Sequence, residues 1–272
     1  GGQSVFTAWQ KEKENLTSSN QFDLFNPPPG QGAKITENPR DNQKTKKHHY
    51  QLVDSKVGRG LLLKKILSQH SVCFDVETTG LNSLKAKIVG IAFSWEKHKG
   101  YYLYIPEDQH KAKTIIQEFR PFFENKQIEK IGHNLKYDLK VLIKYEIKVV
   151  GPLYDTMIAH YLINPDMRHN MDVLAETYLN YSPQSITELI GKKGKNQGNM
   201  RQVDLTKQTE YAVEDADITF QLKQHFQKEL KDANAIKLFK EVELPLVDVL
   251  TAMEAEGINL NVSFLNELSK YL

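Results

Sequence analysis

Four carboxylates and one tyrosine stand at spacings that would let them bind metal ions and support hydrolysis. Asp75 and Glu77 are two residues apart in a run typical of a β-strand, where alternate side chains share a face. Asp138 follows a second such run, and Tyr211 lies one helical turn before Asp215. Hard divalent cations prefer oxygen ligands, and a two-metal hydrolase needs carboxylates from several elements. Together these five residues predict a metal-dependent hydrolytic site.

Each acid also has a purely structural interpretation. An isolated Asp-x-Glu is typical of a half-solvated edge strand, and Asp138 alone is more typical of a surface residue. We interpret Glu214 and Asp217 as solvated side chains that point elsewhere. The strand of Asp75 opens a meander, however, and two like charges about 7 Å apart in a partly desolvated place repel unless a cation holds them. This neighbourhood favours the metal site.

Apolar periodicity predicts the elements that position these side chains. Runs of β-branched and aromatic residues separated by turn residues predict strands at 72–76, 88–93, 101–105, 128–132 and 149–153. Helical spacing appears at 111–125 and 135–145, and then nearly to the end of the chain. Because the strands come first and the crossovers later, we predict an α/β fold. Its mixed sheet would be antiparallel at one edge and parallel beyond it, with helices on both faces.

Composition excludes several classes of protein. The 272 residues are 40% hydrophobic and 26% charged, which excludes a wholly disordered chain, and the apolar runs are too short to span a membrane. The single cysteine, Cys73, allows no internal disulfide and favours a reducing, cytoplasmic setting. The chain begins with Gly1 and Gly2 without a signal segment, so we expect a piece of a longer protein.

The net charge of +2 lies in residues 1–49, which also hold four of the ten prolines. This composition predicts a flexible linker or tail, with His48 and His49 as exposed linker residues. The remaining body is electrically balanced, which by itself does not favour nonspecific binding of nucleic acid. The loop at 191–198 does not fit a nucleotide-binding P-loop. Two interpretations of this loop remain: a solvated surface loop, and a mobile basic loop near single-stranded DNA.

Three segments resemble the motifs of the DEDD 3′-5′ exonucleases, which have a ribonuclease-H-like fold. They are Phe74-Asp-Val-Glu-Thr-Thr-Gly-Leu81, His133-Asn-Leu-Lys-Tyr-Asp138 and Tyr211-x-x-x-Asp215. One branch of this family has a histidine five residues before the last aspartate. Here position 210 is glutamate and position 211 is tyrosine, so the tyrosine branch is the match.

Within that branch, residues 60–272 resemble the proofreading domain of bacterial family-A DNA polymerases. Similar segments lie at 168–175 and 191–197, and residues 243–258 resemble the opening helices of the polymerase module. The resemblance implies a linker at 1–49 after a 5′ nuclease domain, a 3′-5′ exonuclease domain at 50–235 and the start of a polymerase module at 236–272. It also implies that polymerase motifs follow outside this chain.

The resemblance further implies roles for the acidic residues. Asp75, Glu77 and Asp215 would hold one divalent ion, and Asp75 with Asp138 would hold a second; the ions would be Mg²⁺, with Mn²⁺ or Zn²⁺ as alternatives. Tyr211 would orient the attacking water together with Glu77. The expected products are nucleoside 5′-monophosphates released one at a time from DNA 3′ ends.

Substrate contacts are also implied by the resemblance, at Thr78, Leu81, Asn134, Tyr137 and Arg168. Leu81 would wedge against the terminal base, with a buried turn residue as the alternative. Asn134 and Tyr137 would contact sugar or phosphate. We place Asn134 and Asp138 on one helix face. Arg168 would hold a phosphate, with a helix-end surface arginine as the alternative.

Two other functions stay open from the sequence. One is trimming of RNA 3′ ends by a ribonuclease D-like enzyme, which shares the tyrosine-type site. The other is a catalytically silent domain of the same fold that positions DNA. The expected partners are a single-stranded or frayed DNA 3′ end and covalently linked polymerase and 5′ nuclease domains, in a monomeric bacterial protein of the cytoplasm without membrane contact.

Overall fold

A computed structural model describes residues 40–194 and 196–272, and residues 40–272 form one compact unit. Residues 1–39 of the predicted tail at 1–49, and Lys195 of the 191–198 loop, lie outside the described residues. The described residues contain no helix with the length and apolarity that crossing a membrane requires.

Six strands in the described part of the chain form one mixed sheet. They are β1 (His49–Val53), β2 (Ser71–Thr78), β3 (Ile88–Glu96), β4 (Lys99–Tyr104), β5 (Glu129–Gly132) and β6 (Leu153–Asp155). Their order across the sheet is β1-β4-β3-β2-β5-β6. Strands β2, β3 and β4 pair antiparallel as the predicted meander, whereas β5 and β6 continue from β2 in parallel. The predicted mixed α/β sheet is confirmed.

Two details of the predicted sheet are wrong. An additional strand, β1, pairs in parallel with β4, so the antiparallel strands lie in the middle of the sheet and not at its edge. This strand is short and adjoins the polar tail, which hid its pattern. The last strand is Leu153–Asp155, not 149–153, because Gly151 turns the chain with a φ of +91° just before it.

Helices cover both faces of the sheet. The α-helices of the described residues are α1 (Lys56–Leu67), α2 (Gln109–Glu118), α3 (Arg120–Phe123), α4 (Leu135–Ile143), α5 (Thr156–Ile163), α6 (Met171–Leu179), α7 (Ile186–Ile190), α8 (Leu205–Asp232), α9 (Ile236–Leu238), α10 (Leu244–Glu256) and α11 (Val262–Tyr271). A short 3₁₀ turn at Met200–Gln202 precedes α8, and a π-helical segment at Phe239–Glu243 precedes α10. The predicted helix at 111–125 is two helices that meet at Phe119.

The core has two layers, one on each side of the sheet. Phe74 and Phe93 pack with Phe119, Phe122 and Phe123 of the α2–α3 region in one layer. The other layer contains Cys73, Ala92 and Tyr102 from the strands, together with apolar residues of α5, α6 and α8. Successive side chains of β2 alternate between the two layers. Asp75 and Glu77 therefore lie on the same side of the sheet as Cys73 and face α8.

Residues 40–48 lie against this body. The backbone N–H of Asp41 donates to the carbonyl of Asn180 at 3.1 Å, and His48 Nε2 lies 2.7 Å from Glu210 Oε2 on α8. The interpretation of His48 as an exposed linker residue is therefore wrong, and His49 begins strand β1. The division of the chain at residues 50 and 236 stays a prediction.

Candidate active site

Strand β2 places two carboxylates on the face that looks toward α8. It lies between β3 and β5, and Asp75 and Glu77 pair with Ala92 and Gly90 of β3. Phe74 and Val76, on the opposite face, are buried in the aromatic layer. The edge-strand interpretation of the Asp-x-Glu pair is therefore wrong, because both sides of β2 are occupied by hydrogen-bonded strands.

Helix α8 brings a third carboxylate to the same place. One oxygen from each of Asp75, Glu77 and Asp215 lies within 4.8 Å of the others. All three side chains are half-buried or nearly buried, with Glu77 only 9% exposed. Among the described residues this is the one group of three or more potential ligands at such spacing. The cluster can bind a metal ion.

Asp138 lies beside this cluster at the start of α4. Its Oδ1 accepts a hydrogen bond of 3.1 Å from the backbone N–H of Val76, and the side chain is only 4% exposed. The interpretation of Asp138 as a surface residue is wrong. Because the bond reaches the β2 residue between Asp75 and Glu77, it fixes α4 against the strand that carries both acids.

The electrostatics of the four acids fit a divalent cation. Burial raises the pKa of Asp75 to about 6, and it also raises the pKa values of Glu77, Asp138 and Asp215. The negative charge of Asp75 raises the latter three further. None of the four forms an ion pair with Lys, Arg or His in the described part of the chain. A hard cation would relieve this repulsion and use oxygen ligands that lack a protein counter-charge.

Tyr211 and Asp215 form the face of α8 that points toward the cluster, which we call the site face. Burial raises the pKa of the Tyr211 hydroxyl far above its usual value, and the charge of Asp215 raises it further. The hydroxyl is therefore protonated at neutral pH and acts as a hydrogen-bond donor. It cannot take up a proton as a general base.

The turn after β2 is stabilised by Thr78 and Tyr137. Their hydroxyl oxygens lie 2.6 Å apart, and both are within hydrogen-bonding distance of the Gly80 carbonyl, at 3.0 and 2.6 Å. This arrangement presents Leu81 to solvent with 90% of its surface exposed. The alternative that Leu81 is a buried turn residue is therefore wrong.

The other two predicted contact residues lie outside the helices. Asn134 precedes α4 with φ 61° and ψ 46°, and so does not share a helix face with Asp138 as expected. Its side chain is exposed, as is that of Arg168 in the connection between α5 and α6. The roles of both in substrate binding stay predictions.

Asp155 is a positioning residue that the sequence analysis missed. This buried carboxylate accepts hydrogen bonds from the backbone N–H groups of Leu135 at 2.7 Å and Asn134 at 3.2 Å. It also caps α5 by accepting from Met157 and Ile158 at 2.9 and 3.2 Å. One side chain therefore holds the starts of α4 and α5. The Asp-Thr-Met sequence that starts at the last residue of β6 was an N-cap signal for α5, but nothing local predicted the link to α4.

Glu214 and Asp217 lie on another face of α8, which we call the anchoring face. Glu214 accepts hydrogen bonds from the Tyr181 hydroxyl at 2.5 Å and the Gln184 N–H at 2.8 Å. Asp217 accepts from the Tyr50 hydroxyl at 2.8 Å and the His98 N–H at 3.0 Å. Both are buried, so the expectation that they are solvated is wrong. The loop at 181–184 and the β1–β4 edge cover this face.

Comparison with known proteins relates this geometry to a family. Residues 50–231 match the family described as 3′-5′ exonuclease. DNA polymerase I of Borreliella burgdorferi is 34% identical over 263 residues, or 94% of this chain and 27% of that protein. DNA polymerase I of Pseudomonas aeruginosa is 30% identical over 82% of this chain and 25% of that protein. The chain spans about a quarter of the length of these relatives.

Solved structures share the fold at lower identity. Brucella melitensis NrnC has a TM-score of 0.61 at 21% identity, covering 77% of this chain and 93% of that chain. Escherichia coli RNase D, an exoribonuclease involved in structured RNA processing, has a TM-score of 0.61 at 14% identity, covering 75% of this chain and 51% of that chain. The predicted ribonuclease-H-like fold is confirmed. By its sequence relatives, the chain belongs to the 3′-5′ exonuclease domain family of DNA polymerase I.

Proposed function

We propose that this domain hydrolyses the last phosphodiester bond at a DNA 3′ end and releases nucleoside 5′-monophosphates one at a time. The single observation that carries the proposal is the cluster of Asp75, Glu77 and Asp215, partly buried together without an ion pair in the described residues. Its place in a domain of the exonuclease family supports hydrolysis of a nucleic acid. The DNA polymerase I relatives support DNA as that substrate.

Two divalent ions are proposed as the cofactors, with Mg²⁺ first and Mn²⁺ or Zn²⁺ as substitutes. Asp75, Glu77 and Asp215 would hold one ion, and Asp75 with Asp138 would hold the other. When bound, such ions provide an activated water nucleophile and stabilise the charge that develops on the departing oxygen. The oxygen-only ligand set supports Mg²⁺ or Mn²⁺ over metals that prefer sulfur or imidazole.

The protein groups would orient the reactants. Tyr211, whose hydroxyl remains protonated, would donate a hydrogen bond to the attacking water, and Glu77 would accept one from it. Leu81, exposed at the end of the turn that Thr78 and Tyr137 stabilise, would contact the terminal base. Asn134 and Arg168 would contact sugar and phosphate, and their exposed positions support access to a strand.

The C-terminal helices support a linked polymerase module. In α10 and α11 many large apolar side chains are exposed, among them Met253, Phe264 and Tyr271 at 62%, 58% and 89%. Exposed apolar faces of this kind are expected where further protein packs. We propose that residues 236–272 begin a polymerase module and that residues 1–49 link to a 5′ nuclease domain. The greater length of the relatives supports both proposals.

RNA is the second candidate substrate, because the fold neighbours include RNase D. That likeness supports the fold alone at 14% identity, whereas the DNA polymerase relatives match at 30–34%. We therefore place DNA first. The catalytically silent alternative has less support, because the clustered acids have the environment that metal binding needs.

The deciding experiment follows release of nucleoside monophosphates from matched DNA and RNA strands in Mg²⁺ or Mn²⁺. We expect faster release from DNA and loss of release in Asp75→Asn. Asp232→Asn, an exposed acid at the end of the same helix as Asp215, is the control and should keep full activity. Unchanged activity in Asp75→Asn would contradict the proposed site, and faster trimming of RNA would reverse the choice of substrate.

A further inference from the structure

Four lysines line a cleft beside the loop that joins β2 to β3. Lys85 and Lys87 of the loop, Lys113 of α2 and Lys144 at the end of α4 surround about 220 Å³, with Gln109 and Tyr145 between them. We propose that this lysine cleft binds the phosphate backbone of the DNA strand upstream of the 3′ end. The inference rests on the proposed function, since it concerns how the substrate reaches the same site.

The loop that carries two of these lysines is held in place by its own hydrogen bonds. The Thr79 N–H donates to the Lys87 carbonyl and the Lys87 N–H to the Thr79 hydroxyl, both at 3.0 Å. The Lys85 N–H donates to the Asn82 carbonyl at 3.0 Å. Since Thr79 is two residues from Glu77, the cleft is connected through a short, bonded segment to the carboxylate cluster.

The four lysines differ in how far they are already paired. Lys113 forms an ion pair of 2.6 Å with Glu146, and Lys144 donates to the Ala86 carbonyl. Lys85 and Lys87 are exposed and form no ion pair among the described residues. These two ammonium groups are therefore available to an external anion. Their local excess of positive charge contrasts with the balanced charge of the body as a whole.

Apolar exposure on the same loop indicates a polymer and not a free anion. Leu81 and Leu84 are 90% and 60% exposed, next to the two available lysines. A single strand offers phosphates to cations and base faces to apolar side chains, whereas a free phosphate offers only charge. The combination of exposed leucines and unpaired lysines therefore fits a nucleic acid strand.

The test compares Lys85→Gln/Lys87→Gln with Lys228→Gln/Lys231→Gln. The control pair removes the same charge from exposed positions near the end of α8. Binding of a 12-nucleotide DNA strand is measured by fluorescence anisotropy in EDTA at several salt concentrations. We expect the salt slope to fall by about 1.4 for the cleft pair, roughly 0.7 for each lost lysine–phosphate contact, and to stay unchanged for the control.

Kinetics with two substrate lengths completes the test. The cleft pair should raise KM for the 12-nucleotide strand roughly fivefold. It should leave kcat for that strand, and both constants for a trinucleotide, near the native values. Equal effects of the two variant pairs, or an equal effect on both lengths, would overturn the inference. So would competition by millimolar inorganic phosphate that disappears in the cleft pair, because the cleft would then be a site for a free anion.

Failure of the proposed function has a different signature. If the native protein degrades neither the DNA strand nor the matched RNA strand, the proposed hydrolytic function fails. The salt slopes would still decide whether the lysine cleft contacts DNA. Melting temperatures of both variant pairs should equal that of the native protein, since the substituted side chains are exposed.

Discussion

Helix α8 carries acidic side chains on two faces, and the two sets have different surroundings. On the site face, Asp215 joins Asp75 and Glu77 without an ion pair in the described chain. On the anchoring face, Glu214 and Asp217 accept hydrogen bonds from tyrosine hydroxyls and backbone N–H groups. Buried acids cost free energy unless donors or cations satisfy them. Nearby acids on one helix therefore differ in whether protein donors satisfy them, and Asp215, on the face without an ion pair, is the one that we propose as a metal ligand.

The largest expected difference between the two faces of α8 is in catalytic activity. Asp215→Asn should lower kcat by roughly a hundredfold or more, because it removes a ligand of the proposed metal ion that stabilises charge at the reacting group. Asp217→Asn, two residues along the same helix, should keep at least about a tenth of the native rate when assayed well below its melting temperature. Rates of monophosphate release from single-stranded DNA provide the measurement. Similar losses in the two variants would remove the distinction between the faces.

The anchoring face should matter for the stability of the fold. Asp217→Asn weakens charge-assisted bonds from the Tyr50 hydroxyl and the His98 N–H, so we expect it to cost about 2 kcal/mol of unfolding free energy. Urea unfolding of the metal-free protein measures this cost. Tyr145→Phe is a matched control away from α8, since its buried hydroxyl accepts from the Ile88 N–H at 3.0 Å. A loss smaller in Asp217→Asn than in this control would contradict the anchoring role.

Metal binding should depend on pH. With a pKa of about 6, the Asp75 carboxyl is largely ionised at pH 7 and largely protonated at pH 5. Because folding raises this pKa, protonation of Asp75 favours the metal-free fold. The resulting stabilisation is complete below pH 4, near the ordinary pKa of the group, and is lost as the pH rises through about 6. Added Mn²⁺ should therefore raise the melting temperature by several degrees at pH 7 and by much less at pH 5. An equal shift at both pH values would count against the acid cluster as the metal site.

The smallest expected effect is a gain of stability at the site face. Asp75→Asn removes one charge from the cluster, so the metal-free protein at pH 7 should melt about 2–4 °C higher, corresponding to roughly 1 kcal/mol. Differential scanning fluorimetry in EDTA measures the shift. In saturating Mn²⁺ the order should reverse, because the native cluster then binds the ion. A lower melting temperature in EDTA would mean that Asp75 is a structural acid.

Much of this architecture was predictable from local patterns. The strand periodicity around Asp75 and the four-residue spacing of Tyr211 and Asp215 predicted which faces these side chains occupy. β1 was missed because its five residues follow a polar tail, and β6 was misplaced because the turn at Gly151 has no counterpart in apolar periodicity. Local patterns fail where a segment takes its conformation from a distant neighbour.

The kind of site could be predicted from the sequence, because the carboxylates and their spacing within each element are properties of the chain. Which acids are anchors became clear only from the folded structure. Asp217 looked solvated, yet its partner Tyr50 lies 167 residues away, and Asp155 caps a helix that starts 20 residues earlier. The physical reason is that the cost of burying a carboxylate depends on donors brought together by folding, and those donors are not its neighbours in the chain.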